Sequence, residues 1–88
     1  MYSVYILLSK KDQRLYVGCT SDLGQRLLRH DKGFVEATRW RRPLVLIYEE
    51  KFLDKAKAFN RERFFKSLWS ARMKRKIKAE YLQKQITE

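Results

Sequence analysis

Two strand-forming segments near the start of the chain, joined by a short polar connection, restrict the fold more than any other feature. Residues 3–9 are mostly aliphatic, aromatic or β-branched, and residues 14–19 alternate in polarity. The polar residues 10–13 between them leave room only for a tight connection. The sequence therefore predicts a β-hairpin with a loop of about four or five residues.

Capping residues, chain breakers and apolar spacing predict the remaining elements. Thr20, Ser21 and Asp22 offer capping side chains for a first helix that runs from Leu23 to His30 and stops before Gly33. Residues 34–43 have no regular period and end in proline, which predicts a basic loop. A buried strand over residues 44–48, a second helix from the Asp54 cap to about Trp69 and a third helix after a Ser70 cap complete the chain. The predicted class is α+β, with the element order β-β-α-β-α-α.

The length of the chain allows one compact domain and is too short for two, since it has 88 residues. That domain is predicted to span residues 1–82. Residues 83–88 are predicted to form a frayed C-terminal tail.

The charge balance indicates a polyanionic partner. The chain has 21 Lys and Arg against 10 Asp and Glu, a formal charge of +11 that is spread over both halves. Nucleic acid is the first candidate, and an anionic membrane the second. The narrow apolar face of the third helix, formed by Met73, Ile77 and Tyr81, argues against membrane insertion.

The numbers of cysteine and histidine residues exclude several kinds of site. Cys19 is the only cysteine and His30 the only histidine, so an internal disulfide framework and the common zinc sites are excluded. With no recognisable signal peptide or transmembrane segment, the expected location is the cytoplasm. No pattern in the sequence assigns an oligomeric state.

A carboxylate interrupts the apolar stripe of the second predicted helix. Ala58, Phe65 and Trp69 share one face at about 100° per residue, and Glu62 falls on the same face. Because burial of an unpaired carboxylate is costly, Glu62 needs a cationic partner, a metal ion or a place at the rim in water. Two interpretations stay open: an ion pair with a basic residue, and a ligand for a hard divalent cation.

Several polar side chains are predicted to meet where the first helix joins the hairpin. Arg26 and His30 are four residues apart and share a helix face. Tyr5 and Tyr16 lie on paired strands, where cross-strand contact is possible. A guanidinium matches phosphate bidentately, and a phenol beside a cation can orient or deprotonate water. Packing roles for the tyrosines and the histidine are the alternative; Gly18 is expected to admit a backbone or a phosphate.

Basic residues mark two further segments as candidate nucleic-acid contacts. Between residues 61 and 78 there are eight basic side chains and one acidic one. The loop before Pro43 combines a tryptophan with three arginines, which offers stacking among cations. A solvated charged face is the alternative. The candidate contacts, besides Gly18, are Arg39, Trp40, Arg41, Arg42, Lys66, Arg72, Lys74, Arg75 and Lys76.

In order along the chain, these residues resemble the GIY-YIG nuclease superfamily. The resemblance is carried by Ser3-Val4-Tyr5, Tyr16-Val17-Gly18, Arg26 with His30, Pro43 before a strand, and Arg61-Glu62, and it covers roughly Tyr2 to Ile77. The chain is most similar to small stand-alone members, related to the nuclease domain of the bacterial excision-repair enzyme. Ser3 stands where the first motif has glycine, and valine replaces isoleucine in both triplets.

The resemblance implies a three-stranded antiparallel sheet flanked by helices, and phosphodiester hydrolysis with one divalent cation, Mg²⁺ or Mn²⁺. It implies that Glu62 binds the metal and that Arg26 stabilises the phosphate. Tyr5, Tyr16 and His30 would position or activate the attacking water. The expected function is a structure-selective or weakly sequence-specific DNA endonuclease in repair or recombination. The alternatives are a nucleic-acid-binding module without catalysis and a structural basic protein.

Overall fold

The predicted fold class and element order are confirmed by a computed structural model, which describes residues 1–87. Strands β1 (Tyr2–Ser9), β2 (Leu15–Thr20) and β3 (Leu44–Phe52) form one antiparallel sheet in the order β2-β1-β3. Strand β1 is therefore central, with a hydrogen-bonded neighbour on each side.

The β1–β2 hairpin is closed by local hydrogen bonds at its tip. The Ser9 amide donates to the Arg14 carbonyl, and the Gln13 amide donates to the Ser9 carbonyl, both at 2.9 Å. Gln13 has a positive φ of 64°, which a tight turn requires of one residue. The buried hydroxyl of Ser9 also accepts the amides of Lys11 and Asp12 at 3.2 Å. The hairpin register that follows pairs Tyr5 with Gly18.

Helices α1 (Leu23–Asp31), α2 (Lys55–Phe65) and α3 (Ala71–Thr87) include the two caps that the sequence predicts. The Asp22 carboxylate accepts the amide of Gln25 at 3.1 Å, and the Asp54 carboxylate accepts the amide of Ala56 at 2.8 Å. After α1 the chain reverses at Gly33, whose φ of +80° suits glycine.

The predicted end of the second helix and the predicted cap of the third helix are wrong. Helix α2 ends at Phe65 and not at Trp69, because the chain leaves the helix at Ser67 and turns through a 3₁₀ helix, Leu68–Ser70. The Ser70 hydroxyl donates backwards, to the carbonyls of Phe65 and Ser67 at 2.9 Å, so it does not cap α3. Helix α3 continues to Thr87, since no glycine or proline interrupts it; Glu88 lies outside the described residues. The domain end at residue 82 and the frayed tail over residues 83–88 stay predictions.

The two faces of the sheet are covered by different helices. Val4 and Ile6 of β1 pack with Phe65 of α2 and Ile77 of α3 in the main core, where full burial of each side chain stabilises the fold by about 1.5–3 kcal/mol. Successive strand residues point to opposite faces, so Tyr5 and Leu7 of β1 face the other way, towards α1. The loop after α1 contains a second 3₁₀ helix, Arg39–Arg41.

A half-buried ion pair joins α2 to β3. Arg61 donates from Nε to Glu50 Oε1 at 2.8 Å and from Nη2 to Glu50 Oε2 at 3.0 Å. The guanidinium also lies over the rings of Phe64 and Phe65, and its hydrogen bond lowers the pKa of the Glu50 carboxyl. Arg61, which precedes Glu62 in the sequence motif, thus fixes the position of α2 on the sheet.

Candidate active site

Tyr5 lies at the centre of the site and is fully buried. Its ring crosses the neighbouring strand at Gly18, where an added Cβ would lie only 2.4 Å from the Tyr5 Cζ and Oη atoms. Glycine is therefore needed so that the Tyr5 ring can lie against β2. The expectation that Gly18 admits a phosphate or a backbone is wrong, because the aromatic ring already fills that space.

A chain of hydrogen bonds runs from Tyr5 into the loop that follows α1. Tyr5 Oη and His30 Nε2 are 2.9 Å apart, and His30 Nδ1 and Thr38 Oγ1 are 2.8 Å apart. The Thr38 hydroxyl in turn donates to the Val35 carbonyl at 3.5 Å. Since a carbonyl can only accept, we assign the Nδ1–H tautomer to His30, with the Tyr5 hydroxyl donating to Nε2.

The pKa shifts of the two residues agree with Tyr5 as the hydrogen-bond donor and His30 as the acceptor. Burial, and secondarily the Tyr16 phenol, raises the pKa of Tyr5 well above its ordinary value, while the guanidinium of Arg26 acts the other way. Burial, with Arg26 next, lowers the pKa of His30. Near neutral pH a protonated phenol therefore faces a neutral imidazole.

Tyr16 completes the aromatic part of the site. Its ring centroid lies 5.2 Å from that of His30 and 6.4 Å from that of Tyr5, with tilted or edge-on geometry. Tyr16 is only half-buried, in contrast to the other two rings. It thus lies at the solvent side of the cluster.

Arg26 and Glu62 bring opposite charges to the same strand edge. Burial raises the pKa of both Tyr5 and Cys19, and the guanidinium of Arg26, half-buried on α1, opposes that rise. Glu62, on α2, raises the pKa of the same two residues. Of the five predicted catalytic side chains, the structure brings Tyr5, Tyr16 and His30 into ring contact, and Arg26 and Glu62 act on Tyr5 through their charges.

The surroundings of Glu62 match the ion-pair interpretation left open by the sequence. Its carboxylate lies 3.2 Å from Lys66 Nζ, one turn further along α2, and its side chain is 23% exposed. The two residues line a shallow cavity of about 310 Å³ with Phe59 and Arg63. Glu62 thus lies at a helix rim and not in a buried stripe with Trp69, which is exposed.

The side chains around Glu62 fit only a metal ion that needs few ligands from the protein. Among residues 1–87 no group of three or more His, Cys, Asp or Glu side chains is placed to hold a metal ion. A single, partly exposed carboxylate is compatible with Mg²⁺ or Mn²⁺, since Mg²⁺ often keeps several waters and takes substrate phosphate as a ligand.

The arginines of the basic loop divide into two groups. Arg41 pairs with Asp12 at 3.1 Å, and its carbonyl accepts the Ser9 hydroxyl at 2.6 Å. Arg42 donates to the carbonyls of Asp31 and Arg39. These contacts attach the loop to the hairpin and to α1, so both arginines have structural partners.

The other two loop residues are available to a ligand. Trp40 is 73% exposed, and the Arg39 guanidinium lies 5.3 Å from its ring centroid. This pair keeps the stacking geometry that the sequence suggests.

The basic residues of α3 lie apart from the catalytic cluster. Lys74 and Arg75 line an open groove of about 450 Å³ between α3 and the hairpin, together with Arg14 and Lys78. Arg72 and Lys76 are exposed on the same helix. Lys66 alone of the predicted nucleic-acid contacts on α2 and α3 lies beside a predicted catalytic residue.

The sequence pattern misses one residue of the site region and wrongly buries another. Thr38 is fully buried against His30, but it comes from an irregular loop in which no periodicity marks an inward side chain. Trp69 is exposed because α2 ends early, and a purely periodic pattern cannot detect that end.

No helix in the described part of the chain has the length and apolar character needed to span a membrane.

The model of the GIY-YIG catalytic domain family matches residues 1–77. A UPF0213 protein of Natronomonas pharaonis is 39% identical over 75 residues, which are 84% of this chain and 87% of the relative. A UPF0213 protein of Lactiplantibacillus plantarum is 46% identical over 68 residues, 74% of this chain and 66% of the relative. The solution NMR structure of a UPF0213 protein from Bacillus halodurans aligns with a TM-score of 0.52 at 32% identity, covering 83% of this chain and 81% of that one. The resemblance drawn from the sequence is confirmed.

Proposed function

Because the chain belongs to the GIY-YIG catalytic domain family, we propose that it is a metal-dependent endonuclease that hydrolyses phosphodiester bonds of DNA. The observation that carries the proposal is the hydrogen bond between Tyr5 and His30, made at a place where Arg26 and Glu62 also act. We propose further that cleavage is structure-selective or weakly sequence-specific, that it serves repair or recombination, and that it takes place in the cytoplasm.

The direction of the hydrogen bonds supports a proton path through Tyr5. As the Tyr5 oxygen takes a proton from the attacking water, its own proton passes to His30 Nε2. The products of this step are hydroxide and an imidazolium, and the buried phenol is never left as a phenolate. The lowered pKa of His30 keeps its ring neutral, and thus ready to accept, near neutral pH. The general base in this scheme is His30 acting through Tyr5.

Arg26 and Tyr16 act on the substrate side of the path. The guanidinium of Arg26 can donate to a phosphate oxygen and stabilise the negative charge that grows on it during attack. Tyr16, at the solvent side of the cluster, can hold the water in line with Tyr5 through its hydroxyl.

Glu62 is the residue that would hold the metal ion, Mg²⁺ or Mn²⁺. The bound ion would neutralise phosphate charge as a Lewis acid. The carboxylate is only partly buried, so it is accessible, and its exposed partner Lys66 makes an ion pair of the kind that contributes little to stability. The Lys66 ammonium group can therefore leave the Glu62 carboxylate and bind a DNA phosphate.

A non-catalytic nucleic-acid-binding module is the second candidate function. The Glu62–Lys66 ion pair favours it, because the carboxylate proposed to bind the metal already has a cationic partner. The basic groove along α3 supports binding under either function.

A cleavage assay with a single carboxylate variant tests the proposal. The native protein and Glu62→Gln are incubated with supercoiled plasmid, single-stranded DNA and branched DNA, in Mg²⁺, Mn²⁺ or EDTA. We expect metal-dependent nicking by the native protein and a loss of about 100-fold or more in Glu62→Gln. Glu36→Gln, which changes an exposed loop carboxylate in the same way, is the control and should cut normally. Tight binding by all three proteins without cutting would favour the binding module.

A further inference from the structure

Two consecutive apolar side chains at the junction of α2 and α3 face solvent almost completely. Leu68 is 92% exposed and Trp69 is 88% exposed, on the 3₁₀ helix Leu68–Ser70. We call this pair the Leu68–Trp69 knuckle. A lone exposed leucine needs no explanation, but an adjacent leucine and tryptophan form an apolar patch that suggests an interaction site.

Internal hydrogen bonds hold the knuckle in this position. The Ser67 hydroxyl donates to the Phe64 carbonyl at 2.6 Å, and the fully buried Ser70 hydroxyl donates to the carbonyls of Phe65 and Ser67 at 2.9 Å. The serines on both sides thus tie the turn to the end of α2, while the two side chains between them project outwards. The exposure follows from a well-bonded turn and not from fraying.

The charges around the knuckle favour a polyanion over an apolar protein surface. Lys66 and Arg63 precede the knuckle, Arg72 follows it, and no acidic residue occurs between residues 63 and 79. Lys66 is 53% exposed and lies in the same cavity as Glu62. An aromatic ring among cations matches a nucleic acid, because a base stacks on the ring while the flanking phosphates meet the cations.

We propose that the Leu68–Trp69 knuckle stacks against an unpaired base of DNA bound beside Glu62. The proposal rests on the proposed function only for the identity of the ligand, and it narrows the substrate to DNA with single-stranded nucleotides near the cut. In duplex DNA the bases stack on each other, so the ring has no free base face to cover. The preference for unpaired DNA would therefore come from Trp69 and not from the basic groove along α3.

Tryptophan fluorescence can observe the stacking directly. Trp40→Phe leaves Trp69 as the only tryptophan of the chain. This variant is titrated with a thymidine oligonucleotide and with a blunt duplex of equal length, in EDTA so that no cleavage is required. We expect the oligonucleotide to quench Trp69 strongly and the duplex to quench it little.

Affinity measurements give a second, independent readout. Trp69→Ala should weaken binding of the single strand by about 5- to 150-fold, the range typical of one stacked base, and change duplex binding by less than about twofold. Trp69→Phe should keep most of the affinity, since it keeps a ring. Leu53→Ala, at another exposed leucine, is the control and should bind as the native protein does.

Three outcomes would overturn the inference. Single-strand binding without quenching, or without an effect of Trp69→Ala, would reject the knuckle and leave the nuclease proposal intact. A change in sedimentation behaviour with Trp69→Ala, at unchanged DNA affinity, would assign the patch to protein association. A native protein that binds neither form of DNA would reject the nuclease proposal as well.

Discussion

The hydroxyl of Thr38 determines what His30 can do for Tyr5. The Thr38 hydroxyl accepts the hydrogen bond that His30 Nδ1–H donates. His30 Nε2 then carries no proton and faces the phenol as an acceptor. A neutral imidazole without this partner can adopt the other tautomer, which presents a donor to Tyr5 and cannot take up its proton.

Replacement of Thr38 by valine keeps its shape and removes the hydroxyl. We expect Thr38→Val to lower kcat by about tenfold or more and to displace the acidic limb of the pH–rate profile, since the tautomer preference is lost. Thr38→Ser should restore most of the rate and the native profile. Equal losses in both variants with unchanged profiles would mean that Thr38 only fills space.

His30 also makes stability depend on pH. Burial lowers its folded-state pKa below the ordinary value of 6.5, so the neutral ring stabilises the fold above about pH 6.5. That contribution declines as the pH falls towards the folded-state pKa. We expect the Tm of the native protein to drop more between pH 7 and pH 5 than the Tm of His30→Asn. Parallel drops in thermal melts of the two proteins would contradict this.

Gly18 is the residue at which a single methyl group should disturb the site most. In Gly18→Ala the new Cβ would collide with the Tyr5 ring, and we expect a loss of about 1–3 kcal/mol in the free energy of unfolding. Gly24→Ala is the matched control, because its nearest neighbour would be 3.8 Å away and alanine is the better helix former. In urea denaturation, the midpoint of Gly18→Ala should lie below that of the native protein and the midpoint of Gly24→Ala above it.

Local chemistry explains which elements the sequence could predict. The hairpin and the caps at Asp22 and Asp54 depend on neighbouring residues, so the pattern locates them correctly. The end of α2 depends on the Ser67 and Ser70 hydroxyls, which bond to helix carbonyls and compete with continued helix. A 100° periodicity carries no information about that competition, and it therefore placed Trp69 in the core.

At the scale of helix α2, the ion pair between Glu62 and Lys66 should compete with the metal. We expect Lys66→Gln to lower the Mg²⁺ concentration needed for half-maximal cleavage by about two- to tenfold, with less than about 1 kcal/mol lost in stability. Lys57→Gln removes one exposed charge from the same helix and serves as the control. If the Mg²⁺ concentration for half-maximal cleavage falls equally in both variants, the effect comes from net charge and not from the ion pair.

Across the whole molecule, the groove between the hairpin and α3 concentrates positive charge. Arg14, Lys74, Arg75 and Lys78 line it without any acidic side chain. We expect Lys74→Gln or Arg75→Gln to weaken DNA binding alike for different sequences and to reduce the slope of log K against log salt by about one. Lys51→Gln, on strand β3, should leave that slope unchanged in filter-binding or anisotropy titrations.

The sequence proposes residues for the candidate site but not the contacts between them. Motif order identified Tyr5, His30 and Glu62, because spacing along the chain survives in the sequence. The Thr38 bond to His30 and the Tyr5 ring over Gly18 arise only when distant segments pack. Such contacts depend on the three-dimensional arrangement and produce no periodic pattern in the sequence.

The central position of β1 has a consequence for the proposed choice of DNA substrate. Tyr5 lies on the strand that is paired along both edges, so its position in the site cannot change without breaking the sheet. A rigid site cannot adapt to a stiff ligand, so under the proposed function the DNA would supply the bending that brings its phosphate to Arg26. Nicks, flaps and branch points bend at little energetic cost, and an uninterrupted helix does not; flexibility of the DNA itself would thus act as the recognition signal.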